Sequence, residues 1–239
     1  MIIAAGMGSR LSSVSNGLPK ILVKIWNVPL LELLLDNCYQ AGIDHIIIVT
    51  GHNSHIIEEY IPKIKKNIKV TTIFNPDWKL ANGVSVLRAK SMIPKNEEFL
   101  ISMSDHYYTS KSLIRMKNHK NKKTIASVGS DYKIKEIYDI DDGMKIKIDK
   151  ESKLIKAMSK NLNNYNAIDC GLFKCQYEFF NYLKDAKKRN ECSLSDACNL
   201  LINQSLMGSV DIKNDPWIDI DTPESLSYIN DNPDNFKIF

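Results

Sequence analysis

Long apolar runs are missing from this sequence. No stretch approaches the ~20 consecutive apolar residues that a membrane helix needs, so no membrane segment is expected in this chain. No cleavable leader is visible either, because the first apolar residues run straight into a glycine motif. Cysteine is scarce and unpatterned: Cys38, Cys170, Cys175, Cys192 and Cys198 are odd in number and form no C-x-x-C pair. Neither a disulfide framework nor a zinc knuckle is suggested, and a reducing cytoplasm is the expected compartment. Charge of one sign is weak as well. The net charge of +4 does not point to nucleic acid, and runs such as Lys63-Ile64-Lys65-Lys66 read as solvated helix faces. A mild positive excess does suit phosphate substrates. No Pro/Gly/Ser-rich linker, acidic run or internal repeat divides the 239 residues, so one domain over 1–230 is expected. Lys117 to Lys123 reads as a solvated basic loop, and 231–239 as a frayed tail or the start of a linker. Only Met1, Ile2 and Ile3 precede Ala4 in the opening strand, which is short enough to expect a trimmed N-terminus.

What is present is an alternation of strand and helix patterns. Ile2 to Ala5 reads as a strand, Leu30 to Ala41 as a helix, and His45 to Thr50 as a strand buried on both faces. His55 to Ile64 is a helix, Val70 to Phe74 a strand, Ser85 to Ser91 a helix, Phe99 to Ser104 a strand and Ser110 to Asn118 a helix. That is the βαβ pattern of a parallel sheet. The second half carries short β-rich segments at Thr124 to Gly129, Met144 to Ile148, Leu154 to Met158 and Ile168 to Phe173. Asp142-Gly143 has the composition of a hairpin turn. Helices follow over Glu178 to Arg189 and Ser195 to Leu201, with Ser193 and Asp196 spaced as a capping box. A mixed, mostly parallel sheet results.

Ligands of open α/β sheets bind beyond the carboxyl ends of the strands. Three segments fit for phosphate chemistry fall there: Ala5-Gly6-Met7-Gly8, Ser104-Asp105-His106 and Asp219-Ile220-Asp221. In Ala4-Ala5-Gly6-Met7-Gly8-Ser9-Arg10-Leu11 the small residues let the backbone approach a triphosphate, and successive N–H groups can form an anion nest. Leu11 stands where a dinucleotide fingerprint needs glycine, and no G-K-[ST] follows. The third element is instead Arg10, a fork for phosphate oxygens. Pro19-Lys20 adds a mobile point charge. Asp219 and Asp221 share one side of an extended segment, so either or both can reach a metal. Asp221 or Thr222 can cap the helix that starts at Pro223. Asn82 offers a donor and an acceptor to a pyrimidine edge, Gly83 a close approach and Ser85 a hydroxyl.

A-A-G-x-G-[ST]-R followed by P-K resembles the signature of the sugar-phosphate nucleotidyltransferase superfamily. The likeness runs through Asn82-Gly83-Val84-Ser85, Met103-Ser104-Asp105-His106, Asp169-Cys170-Gly171 and Trp217-Ile218-Asp219-Ile220-Asp221-Thr222-Pro223-Glu224. Within it the chain is most similar to the CTP:inositol-1-phosphate cytidylyltransferases. The basis is Asn-Gly-x-Ser, His directly after the metal Asp, and Trp-x-Asp-x-Asp-Thr. Phosphocholine and phosphonate cytidylyltransferases resemble it less specifically.

The resemblance implies a Rossmann-like three-layer nucleotide-diphospho-sugar transferase fold. Its nucleotide-binding half would span about 1–120 and its acceptor-binding half about 121–230. It implies a Mg²⁺-dependent transfer of a nucleoside monophosphate, with CTP favoured, to a phosphorylated small molecule. Mg²⁺ would be held by Asp105 with Asp219 and Asp221, and hard Mg²⁺ takes one or two carboxylates plus substrate phosphates. Arg10, Lys20 and Lys160 would carry catalysis. Ala4, Ala5, Gly6, Gly8, Ser9, Asn82, Gly83, Ser85 and Ser104 would bind nucleotide. His106, Asp169 and Lys160 would bind the acceptor.

The acceptor stays open among inositol 1-phosphate, a sugar 1-phosphate, phosphocholine and a phosphonate. A homodimer and a fused or pathway partner domain stay open too. Two rivals remain. A nucleotide-sugar glycosyltransferase would want the second Asp of a D-x-D motif, which Ser104-Asp105-His106 lacks. A non-catalytic nucleotide sensor would bind NTP without turnover.

Overall fold

The computed structural model describes residues 1–120 and 123–236. β1 (Ile2–Ala4) opens into the glycine turn, a 3₁₀ turn at Ser9–Leu11 and the single-turn α1 (Ser12–Ser15). The short hairpin β2 (Lys24–Ile25) and β3 (Val28–Pro29) leads into α2 (Leu30–Gln40), β4 (His45–Thr50), α3 (Ser54–Tyr60), β5 (Lys69–Phe74) and α4 (Gly83–Arg88). Then come β6 (Phe99–Met103), β7 (His106–Tyr108) and α5 (Ser110–Asn118). The second half holds β8 (Ala126–Asp131), β9 (Lys145–Ile148), β10 (Ile155–Ser159), β11 (Ala167–Cys175), α6 (Phe179–Lys188) and α7 (Leu194–Asn203). It closes with β12 (Met207–Asp211), β13 (Trp217–Asp219), α8 (Pro223–Asp231) and α9 (Pro233–Phe236).

The central sheet has nine strands in the order β10-β9-β11-β6-β1-β4-β5, with β8 also against β11 and β12 beside β8. β6, β1, β4 and β5 are mutually parallel. Following the pairings outward, seven of the nine strands run one way and β10 and β11 the other. The mixed, mostly parallel sheet expected from the sequence is therefore the one observed.

β4 shows why the sheet is sandwiched. Ile46 and Ile48 join a core with Leu31, Leu34, Leu35 and Ile57 from α2 and α3. Ile47 and Val49, pointing the other way, join a second core with Val86, Phe180, Leu183 and Leu201 from α4, α6 and α7. Alternate residues of one strand thus feed two cores, and the layers are helix, sheet and helix.

Several local expectations need correction. The helix expected over His55 to Ile64 is α-helical only to Tyr60, because Pro62 turns Ile61–Lys63 into a 3₁₀ turn. The helix expected from Ser85 starts at Gly83 and tightens to 3₁₀ at Ala89. Asp142-Gly143 lies in a turn closed by Gly143 N–H donating to Ile140 C=O. It is no hairpin, since β8 and β9 on either side pair with β11 and not with each other. Residues 231–236, expected as a tail, finish α8 and form α9, with the Phe236 ring buried against Tyr107 and Tyr228. The rest of that tail, 237–239, lies outside the described residues. Of the loop expected over Lys117 to Lys123, Lys117 and Asn118 are the end of α5, and 121–122 lie outside the described residues.

Candidate active site

The glycine turn is fixed by Gly8. Its φ of +68° is left-handed, and a Cβ there would lie 2.6 Å from Lys20 Cγ, so the turn folds directly over the lysine stem. Gly6 faces open space. Ala4 and Ala5 are buried beneath the turn, while Ser9 and Arg10 are exposed at its rim. Lys20 reaches across to Asp105, 3.3 Å away, and to Asp221.

The two segments expected to bind metal, around Asp105 and Asp219, meet through a two-stranded ribbon. β13 pairs antiparallel with β7, Asp219 opposite His106, and the Ile220 N–H donates to the Asp105 carbonyl at 2.7 Å. This register brings the Asp219 side chain to the Asp105–His106 corner. Thr222 is the cap of α8, accepting from the Ser225 N–H at 3.2 Å, which leaves the Asp221 carboxylate for Lys20 and Arg10.

Two cavities lie side by side. The larger, about 330 Å³, is lined by Arg10, His106, Asp142, Lys160, Asp169 and Trp217 among others. The smaller, about 130 Å³, lies under the glycine turn between Gly6, Gly8, Lys20 and Ser104. Asn82, Met103 and Asp105 belong to both. A cleft of two compartments joined at a carboxylate suits two substrates that must meet.

Electrostatics separate the acids. Burial alone would raise the Asp105 carboxyl, but the hydrogen bond and charge of His106 with the Lys20 ammonium outweigh it and hold it below the usual carboxylate range. His106 Nδ1 is 2.8 Å from Asp105 Oδ1 and 3.7 Å from Asp219 Oδ1. Burial pushes this imidazole down, yet Asp219, Asp105 and Asp169 carry it up to about 9. Burial and then the nearby Asp105 charge push the Asp219 carboxyl up against the pull of His106, Lys20 and Arg10. Burial pushes Asp169 up to about 7, opposed by the Gly171 N–H that donates to it at 2.6 Å and by His106.

The donor set fits a hard divalent cation. Among the described residues Asp219 Oδ1 is buried without a hydrogen bond, and carboxylate oxygens of Asp105 and Asp219 lie within 4.8 Å of each other, with the imidazolium of His106 beside them as a donor and not a ligand. Asp142, Asp219 and Asp221 form a second grouping of that size.

The expected site residues divide. Arg10, Lys160, His106, Asp105, Asp169, Asp219 and Asp221 line the larger cavity, and Lys20 and Ser104 the smaller one. Asn82 faces both, with its Oδ1 accepting from the Leu194 N–H at 2.8 Å, so it ties α4 to α7. Ser85 and Gly83 do not face the cleft. Ser85 is buried and accepts from Asn75 Nδ2 at 3.0 Å. A Cβ on Gly83 would lie 2.5 Å from the Cys192 carbonyl oxygen, so that glycine serves packing rather than a base.

One residue of consequence had no sequence signal. Asp142 accepts from Arg10 Nη1 at 2.7 Å and from Lys160 Nζ. Burial alone would raise its carboxyl, but these two cations hold it below the ordinary range. Trp217 also gains a role, stacked on the His106 ring at 5.9 Å while donating through Nε1 to Asp131 at 2.9 Å.

A family model described as nucleotidyl transferase matches residues 1–234. The chain is 29% identical over 227 residues to the bifunctional IPC transferase and DIPP synthase of Rubrobacter xylanophilus, covering 94% of this chain and 49% of that protein. It is 27% identical over 236 residues to the bifunctional sugar-1-phosphate nucleotidylyltransferase/acetyltransferase of Sulfurisphaera tokodaii, covering 96% of this chain and 54% of that protein. The chain thus spans about half the length of these curated relatives. Among solved structures, the inositol-1-phosphate CTP transferase from T. maritima superposes with a TM-score of 0.86 at 17% identity, covering 98% of this chain and 94% of that one. A UDP-glucose pyrophosphorylase complexed with UDP-glucose gives 0.81 at 19%, covering 97% and 96%. At such identities the likeness shows the fold, and the fold is theirs.

Proposed function

We propose, from the premise that this chain belongs to the nucleotidyl transferase family, that it is a Mg²⁺-dependent cytidylyltransferase. It moves CMP from CTP to a small phosphorylated acceptor, with inositol 1-phosphate favoured, and releases pyrophosphate. The observation that carries this reading is the convergence of Arg10, Lys20 and Lys160 with Asp105, Asp219 and Asp221 on one cleft. The choice of CTP and inositol 1-phosphate is supported by the name of the T. maritima protein. A sugar 1-phosphate is the second reading, supported by the S. tokodaii relative.

The reaction is an in-line displacement. An oxygen of the acceptor phosphate forms a bond to the α-phosphorus while the bond to the bridging oxygen breaks, and pyrophosphate leaves with that electron pair. A phosphate monoester is already ionised near neutral pH, so no general base is required. Asp105 and Asp219 would hold Mg²⁺, which would supply charge neutralisation at the phosphates.

The chain's own residues do the positioning, which can contribute about 7–11 kcal/mol. Lys20, under Gly8, meets the α-phosphate. Arg10 forks onto the leaving pyrophosphate. Lys160 offsets the repulsion between two anions forced together. Asp169, with a pKa raised to about 7, can accept from or donate to an acceptor hydroxyl. His106, stacked on Trp217 and packed against Gly171, holds that side of the cavity.

The test is pyrophosphate release with Mg²⁺, pairing CTP, UTP, GTP, ATP and dTTP with inositol 1-phosphate, glucose 1-phosphate, phosphocholine and a phosphonate. Release confined to CTP with inositol 1-phosphate is the expected result. Release with a different pair replaces the substrates, and NTP binding without release from any pair favours a sensor.

A further inference from the structure

We infer that Asp142 is an internal stand-in for substrate phosphate, a carboxylate latch that spans the cleft between Arg10 and Lys160 and is displaced when phosphates bind. The inference rests on the phosphate-binding roles proposed for those two cations. Its geometry is that of a bridging anion. Oδ2 accepts from Arg10 of the glycine turn at 2.7 Å, and Oδ1 accepts from Lys160 at the end of β10. The partners stand 132 and 18 positions away in the chain, so one side chain ties the nucleotide end of the cleft to the acceptor end.

Four of the other carboxylates that line the cleft are already engaged, Asp169 by the Gly171 N–H. Asp105 faces His106 and Lys20, Asp219 belongs to the candidate cation site, and Asp221 faces Lys20 and Arg10. Asp142 has no hydrogen-bonding role among the described residues beyond the two cations. It sits on a turn outside every strand, with its side chain 35% exposed, so it can swing into water without disturbing the sheet. Arg10 and Lys160 are about half exposed, at 49% and 50%, and exposed pairs of this kind are weak. A polyphosphate oxygen can therefore take Arg10 Nη1 in exchange, while Nη2 stays on Asp221. Once Arg10 is taken, a single exposed pair holds Lys160, and the acceptor phosphate finds it easy to release. The latch thus keeps both cations paired and in place until a polyanion of sufficient charge arrives.

The test is calorimetric titration of the whole chain with inorganic pyrophosphate, metal-free and at fixed ionic strength. Asp142→Asn should bind about two- to fivefold more tightly than the unaltered protein, the range expected for losing one exposed competing pair. Asp142→Glu should restore the weaker binding. Asp139→Asn, which removes an exposed charge from the same cavity wall without touching either cation, should leave affinity near the starting value. Arg10→Gln added to Asp142→Asn should abolish the gain. No tightening in Asp142→Asn, or equal tightening in Asp139→Asn, would overturn the latch. The expected pattern in a protein that releases no pyrophosphate from any NTP pair would keep the latch and overturn the proposed reaction; full turnover with an inert Asp142→Asn would do the reverse.

Discussion

Gly171 and His106 are in direct contact: the glycine has φ +74°, and a Cβ on its α-carbon would lie 2.6 Å from His106 Cδ2. β11 changes register between Asp169 and Phe173, and that irregularity makes room for the ring. Gly171→Ala should therefore act twice. A left-handed alanine costs about 1–2 kcal/mol, and overlap with the ring adds about 1–3 kcal/mol. The displaced imidazole should raise the acceptor KM more than it lowers kcat. Thermal unfolding and acceptor kinetics check this, and an unchanged Tm with an unchanged KM would sink it.

Lys20 carries a different prediction. Its stem is clamped under Gly8, and its ammonium is the cation that Asp105 and Asp221 share. Lys20→Met should lower kcat by about 10²–10³, the range for losing one preorganised charge donor. Lys20→Arg should rescue little, because the larger planar head does not fit the point-charge position under the turn. The measurement is pyrophosphate release by variants whose far-ultraviolet circular dichroism matches the parent. An arginine variant with near-normal turnover would refute the clamp.

What the sequence revealed and what it hid follow from range. The glycine turn, Arg10 and Lys20 are local, and their chemistry can be read in consecutive residues. The continuous Ile/Val run of β4 announced burial on both faces, because a strand that feeds two cores needs apolar side chains in both directions. The union of Asp105 with Asp219 was legible as chemistry but not as structure. Its cause is the β7–β13 ribbon, two strands of three residues each, too short for any periodicity to show. Asp142 was invisible for a related reason. An Asp before Gly is ordinary turn composition, and only the fold brings Arg10 and Lys160 to it. Gly83 and Ser85 looked like ligand contacts because glycine and serine serve packing as readily as recognition, and here they face Cys192 and Asn75. Phe236 was lost in a run of Asn, Asp and Pro that composition alone assigns to a tail.

Asp219 exposes a conflict between stability and ligand binding. Among the described residues its buried Oδ1 has no hydrogen bond, and it stands beside the Asp105 charge, an arrangement that destabilises the metal-free protein. Asp219→Asn should raise the metal-free Tm and reduce the increment that Mg²⁺ adds. For a cation at about 100 times its Kd that increment is about 2.7 kcal/mol in the parent. Scanning calorimetry with chelator and with Mg²⁺ reads both effects without any turnover. A variant with the same metal-free Tm and the same Mg²⁺ increment would show that Asp219 is not a ligand.

Asp169 sets a pH dependence whose sign can be worked out. Its pKa rises from an ordinary 3.8 to about 7 in the folded chain, chiefly through burial, so the folded state holds the proton more tightly than the unfolded state does. The associated stability is fully present below about pH 4 and is lost as pH rises through about 7. Asp169→Asn keeps an oxygen for the Gly171 N–H and has no proton to lose. The Tm difference, variant minus parent, should therefore widen between about pH 4 and pH 7 and then level off. Each 1 kcal/mol of that difference corresponds to about 2–4 °C in a domain of this size. Taking the difference at each pH removes contributions from groups that titrate alike in both proteins. A gap that is flat across the window, or that narrows with rising pH, would mean that Asp169 is ionised in the fold and accepts from acceptor hydroxyls only as a carboxylate.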